Sequence, residues 1–371
     1  MPVEREIFGH LPDGTAIERV TLRQDAGLSA RIISYGAALQ ALLVPDRAGA
    51  VDDVVLGFDE LAPYTVPGCY FGMTVGRYAN RIAGGGFVID GTNVSLACNN
   101  GPNALHGGLD GFSRKAWTIV SVEEGPVPSL TLACRSPDGE EGYPGTLETR
   151  LTYSLPAPGE LMLDITATSD RATVVNLTNH SFFNLDGTSA GDILQHRLQI
   201  AADRFLAVDE TAIPLQEPPR DVTGTPFDFR EPHLIGARIR HPDEQLRRGR
   251  GYDHNFCLVP ADGLPEDGFP APGLRLAARV EAPRSGRIME LHTDQPGLQL
   301  YSGNFLDGSV AGKGGRLYRQ ADALCLEPQI WPDAPNRRDF PSARLTPGAV
   351  YRHRTLYRFT AESGFSPSIP Y

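Results

Sequence analysis

Leu147–Ser169 reads LETRLTYSLPAPGELMLDITATS, and its pattern decides the fold class. In LETRLTYSL and in LMLDITATS, apolar and polar residues alternate, which is the period of a strand with one buried face. SLPAPGE joins them with prolines and a glycine, so the pair reads as a hairpin. GLRLAARVEA and GRIMELHTD flank PRS in the same way. Outward from these, short runs rich in Val, Ile and Leu (WTIVSV, SLTLAC, HRLQIAA, GLQLYSGNF, VYRHRTLYRF) recur at roughly eight- to twelve-residue spacing. Sustained helical periodicity is scarce, and only ARIRHPDEQLRRG has room for one short helix. The pattern predicts an all-β chain, a large antiparallel β-sandwich.

Composition sets the outer bounds. A chain of 371 residues, 41% hydrophobic with 40 Gly and 31 Pro, is globular and turn-rich. It is long enough for a substantial core. A formal net charge of -11, with no Lys/Arg run, argues against a nucleic-acid or anionic-membrane partner. The five cysteines are scattered without a CxxC pair, as expected of free, mostly buried thiols in a reducing compartment. No apolar h-region opens the chain and no apolar run approaches membrane-spanning length. The expectation is a soluble, cytoplasmic protein, monomer or homodimer, forming a single domain over residues 1–371. The Pro-rich Val259–Gly273 is the one place for a boundary, and a surface loop explains it equally well.

Several stretches carry polar chemistry inside apolar surroundings. In Val174–Gly187, VVNLTNHSFFNLDG, a strand places Val175 and Leu177 on one face and Asn176, Thr178 and His180 on the other. MTVGRYANRIAGGGF sets Asn80 and Arg81 just ahead of three glycines. No P-loop Lys-Ser/Thr follows, so a turn or bulge carrying Arg81 toward a pocket is the better reading. His106 precedes Gly107-Gly108, where small residues let a ligand or another strand approach closely. In GYDHNFCLV, Asp253 and His254 fall on opposite faces, with His254 on the core side. Gln299 and Tyr301 oppose Leu298 and Leu300, while Glu327 and Gln329 share a face with Cys325. A carboxylate in so apolar a run is costly to bury without a partner, and Pro328 holds Glu327 extended. His106, His180, Asp253 and Glu327 lack the short spacing usual for zinc ligands, so no metal is expected. No Ser or Cys sits in a GxSxG elbow.

Taken together these stretches resemble the aldose 1-epimerase (galactose mutarotase) family. The resemblance runs through GRYANRIAGGGF, NGPNALHGG, DGEEGYPG, NLTNHSFFNL, YDHNF, QLYSGNFLDG and LEPQIWPDAPN, in the family's order. It implies a β-supersandwich with its active site in a cleft on one sheet. It implies further that Glu327 is the general base at the anomeric hydroxyl, and His180 the general acid at the ring oxygen. By the same resemblance His106 polarises near that oxygen, and Asn80, Arg81, Asp253 and Gln299 hold the sugar hydroxyls. The substrate implied is a free monosaccharide, with neither metal nor organic cofactor. Phe182 stands where the family often has Tyr, and Ile330 where many relatives carry a more polar or aromatic residue. Both departures bear on preference among sugars. A sugar-binding module would not need Glu327 opposite a histidine. A glycoside hydrolase would need two carboxylates flanking its bond, and an enzyme of hexose 6-phosphates a basic cluster that Arg81 alone does not make.

Overall fold

A computed structural model describes residues 3–24, 27–258 and 273–362. The chain is built almost wholly of antiparallel strands. Thr118–Glu123, Ser129–Ser136, Leu147–Ser154 and Glu160–Ser169 lie in chain order at one side of a nine-stranded sheet. The sheet continues through the long strand Tyr351–Ala361 to Arg287–Thr293 and Arg275–Glu281. Both sequence-predicted hairpins form, with Ser154 opposite Met162 in one and Glu281 opposite Ile288 in the other. Their alternation is reproduced in space: Leu147, Leu151, Tyr153, Leu161, Leu163 and Ile165 are buried while their neighbours are partly exposed.

Two five-stranded sheets complete the main architecture. One runs in chain order from Glu4–His10 to Val51–Asp53. The other has the order Arg220–Asp221, Arg204–Phe205, Asp253–Cys257, Gly297–Tyr301, Cys325–Gln329. One hydrophobic cluster joins all three, with Leu22 and Leu42 from the first, Leu151 and Leu291 from the large sheet, and Leu298 and Leu326 from the last. Burying each such side chain contributes about 1.5–3 kcal/mol. A second cluster of Phe58, Tyr64, Phe71, Phe182 and Tyr318 lies beside the site described below.

One expectation needs correction. Val174–Gly187 is not one strand with an apolar face and a polar face. It splits into Thr173–Val174, paired with Arg344–Leu345, and Thr178–His180, paired with Met73–Val75. Both faces are buried, because the Asn176 amide is spent on the backbone of Ala79 and Ile330. ARIRHPDEQLRRG holds a helix only at Glu244–Gly249, where the Asp243 carboxylate accepts from the Gln245 and Leu246 N–H groups. A separate single turn, Ile235–Arg238, starts just before the predicted stretch and runs into it. Residues 259–272 of the Pro-rich stretch lie outside the described residues.

Candidate active site

The floor of the site is the sheet of Asp253–Cys257, Gly297–Tyr301 and Cys325–Gln329. Residues opposite one another in an antiparallel ladder point to the same face. Asn255, Gln299 and Glu327 are mutually opposite across the three strands, and so are Asp253, Tyr301 and Cys325. The even-numbered residues His254, Leu298, Leu300 and Leu326 therefore turn to the core, as their pattern predicts. His254 is fully buried against Phe205 and Phe227.

A hydrogen-bonded chain fixes the polar side of this floor. Gln299 Nε2 donates to Asp253 Oδ1 at 2.7 Å, and Gln329 Nε2 donates to Asn255 Oδ1 at 3.0 Å. Glu327 receives no hydrogen bond of this kind, and His180 Nε2 lies 3.7 Å from its carboxyl. Phe183 places that histidine, because it exchanges backbone hydrogen bonds with Leu324 at the edge of the same sheet. The His180 ring is held by aromatic packing instead, with Phe182 stacked at 5.0 Å and Tyr70 at 5.7 Å. Its Nδ1 is buried without a hydrogen-bond partner.

The opposite rim comes from two loops locked to each other. Asn80 and His106 both have left-handed backbone, with φ 64 and φ 52. His106 N–H donates to the Asn80 carbonyl at 3.0 Å, and Asn80 N–H donates to His106 Nδ1 at 3.1 Å. Gly107 is what allows the fit, since a Cβ there would meet the Gly76 carbonyl oxygen at 1.9 Å. The second bond also fixes the imidazole tautomer. Nδ1 accepts, so the proton of the neutral ring sits on Nε2. Arg81 follows Asn80, and its Nε donates to Asn100 Oδ1 at 2.9 Å.

These groups line a cavity of about 450 Å³ that brings together Asn80, Arg81, His106, His180, Asp253, Gln299 and Glu327. Every residue to which the resemblance gives a role is present. Asn176 and Thr178, placed with His180 on one strand face, are not. Ile330 is also absent from the lining: it lies on the far side of its strand and donates its N–H to Asn176. Phe182 does line the cavity, as an apolar wall packed on Phe71. Tyr70, Asn100, Tyr301 and Phe305 are lining residues that sequence reasoning missed. Tyr301 was visible on the correct face of its strand. Tyr70 and Asn100 sit in loops whose composition carries no such signal.

Electrostatics separate the residues into roles. Burial pushes the Glu327 carboxyl well above its usual range, and the negative charge of Asp253 adds to this. Burial pushes His180 down to about 4 and His106 well below its usual value. Asp253 is also raised by burial, opposed by Arg81 and by the Gln299 hydrogen bond. Burial thus favours placing a proton shared by the His180–Glu327 pair on the carboxyl rather than on the imidazole. One ligand atom each from His106, His180 and Glu327 lies within 4.8 Å of the others, a spacing a metal ion could use. The tautomer argues against it, because His106 presents an N–H to the cavity rather than a lone pair. Ligating histidines normally donate their other nitrogen to an acceptor, and here that nitrogen faces a donor.

The family model for aldose 1-epimerase matches residues 18–358. The galactose mutarotase of Rattus norvegicus is 45% identical over 359 residues, 96% of this chain and 98% of the rat protein. The aldose 1-epimerase of Escherichia coli K12 is 37% identical over 353 residues, 95% of this chain and 97% of that protein. A crystal structure of galactose 1-epimerase from Lactobacillus acidophilus superposes with a TM-score of 0.83 at 27% identity, over 97% of this chain and 99% of the other. The chain belongs to the aldose 1-epimerase family.

Proposed function

We propose that in this enzyme, an isomerase interconverting the α and β anomers of free aldohexoses such as galactose and glucose, Glu327 is the base and His180 the acid. The carboxylate takes the proton of the anomeric hydroxyl as the C1–O5 bond breaks, and imidazolium Nε2–H delivers a proton to O5. The aldehyde carbon then turns about C1–C2, and the same steps in reverse close the ring on its other face. No net proton enters or leaves. His106 donates its fixed Nε2–H beside the ring oxygen, while Asn80, Arg81, Asp253 and Gln299 hold hydroxyls.

The observation that carries this reading is geometric: His180 Nε2 stands 3.7 Å from a Glu327 carboxylate oxygen, and both residues line the cavity. Ring opening ends with a protonated Glu327 and a neutral His180, the form that burial already favours. Ring closure begins from that same form. Glu327 accepts no hydrogen bond from the described residues, and the cavity reaches both side chains, so the pair is open to substrate.

Polarimetry on freshly dissolved α-D-glucose and α-D-galactose is the test. The wild type should speed the approach to the anomeric equilibrium, with Glu327→Gln and His180→Ala falling to the spontaneous rate. A wild type that accelerates neither sugar, nor arabinose nor xylose, overturns the reading.

A further inference from the structure

The polar groups of the cavity form a closed circuit. Glu327 stands opposite Gln299 on the neighbouring strand, and Gln299 bonds Asp253. Arg81 is close enough to oppose the rise of both Asp253 and Glu327. Asn80, next to Arg81, is interlocked with His106, whose ring lies 5.3 Å from that of His180. His180 then closes on Glu327. A pyranose is also a circuit, in the order O5, C1, C2, C3, C4, C5. With O5 at His180 and C1 at Glu327, C2 falls at Gln299 and Asp253, and C3 and C4 at Arg81 and Asn80. One sector remains for C5 and the exocyclic C6, between Asn80 and His180.

Tyr70 occupies that sector. Its ring meets His106 edge-on at 4.8 Å and stacks on His180 at 5.7 Å. Its loop is tied directly to the acid's strand, because Gly72 N–H donates to the His180 carbonyl at 2.9 Å. The side chain lines the cavity, and no described protein group hydrogen-bonds its hydroxyl.

From this arrangement we infer that Tyr70 is a specificity-determining residue whose hydroxyl hydrogen-bonds the 6-hydroxyl of an aldohexose. The inference rests on the acid and base roles proposed above. Pentoses with the same ring lack the 6-hydroxyl and gain nothing from it, as do 6-deoxyhexoses.

Tyr70→Phe keeps the ring and its packing and removes only the hydroxyl. The measurement is kcat and KM of wild type and variant on D-galactose, 6-deoxy-D-galactose and L-arabinose, which lacks the CH2OH of galactose. One neutral hydrogen bond corresponds to a rise in KM of about 2- to 10-fold on galactose. The 6-deoxy sugar and arabinose should show no change, and kcat should hold on all three. Equal losses on all three sugars would make Tyr70 a prop for the histidines and overturn the inference. Unchanged galactose kinetics would overturn it too. A wild type inactive on every sugar would sink the underlying functional reading instead, so the two failures are distinguishable.

Discussion

Two acid–base pairs of the molecule, Lys313–Asp53 and His180–Glu327, are built in opposite ways. Lys313 Nζ lies 2.6 Å from Asp53 Oδ2, and it also donates to the carbonyls of Gln40 and Val55, the latter at 2.9 Å. Asp53 in turn accepts the backbone N–H groups of Leu42 and Val55. Every donor and acceptor there is spent inside the protein. The pair ties the turn Lys313–Gly315 to the sheet of Ala38–Pro45 and Val51–Asp53. His180 and Glu327 are more deeply buried, yet stand 3.7 Å apart, and Glu327 accepts no hydrogen bond from the described residues. Burial lowers the Lys313 ammonium and the charge of Asp53 pulls it back up. Burial lowers His180 as well, with no comparable recovery from a charged neighbour. A saturated buried pair is a strut, whereas an unsaturated one facing a cavity has capacity left for a ligand.

The largest expected effect separates the two pairs by activity. Glu327→Gln should cost about 10²–10⁴-fold in kcat on galactose, the range for a positioned acid or base. Its melting temperature should stay level, because a carboxyl with no hydrogen bond of its own is replaced by an amide of the same shape. Polarimetry beside thermal unfolding reads both quantities. A variant that loses stability and activity together would mean that Glu327 is another strut.

Lys313→Met should show the converse. Removing one partner leaves Asp53 as an uncompensated buried charge, and such breaks cost about 3–5 kcal/mol. The kcat of the folded fraction should be retained. Adding Asp53→Asn in the same chain should recover part of the loss, since the amide oxygen still accepts from Leu42 and Val55 without a charge to bury. Denaturant unfolding of the single and double variants measures the coupling. No recovery in the double variant would mean that the loss came from packing of the lysine stem.

The contrast also explains what could be read from sequence. Strand alternation was plain in Leu147–Ser169, because one face of those strands meets the core and the other is partly solvated. It assigned Asp253, Gln299 and Glu327 correctly even in a sheet buried on both faces, since side-chain direction follows the backbone whatever it meets. The same rule failed for Val174–Gly187. There the Asn176 side chain replaces strand pairing with bonds to two other segments, and a period-two pattern cannot foresee that. The interlock of Asn80 and His106 was half legible: glycines at 107 and 108 announced a close approach, but not which backbone would approach. Tyr70 was illegible, because its place depends on a loop docking against His180 from more than a hundred residues away.

The smallest effect tests whether the open pair shares its proton as argued. The one-proton form persists between the ionisation of His180, pushed down to about 4, and that of Glu327, which lies well above the usual carboxylate range. The pH profile of kcat/KM should be a bell with those two limbs, which belong to the pair jointly. Asp253 acts on one limb only. Its negative charge raises Glu327 but is not among the causes that set His180. Asp253→Asn keeps the Oδ1 that accepts from Gln299 and removes the charge. Glu327 then holds its proton less tightly, so the alkaline limb should move to lower pH while the acid limb stays in place. A lost sugar contact alone would lower the whole profile without shifting either limb. An alkaline limb that stays fixed or moves upward would show that burial by itself, and not Asp253, keeps the proton on Glu327.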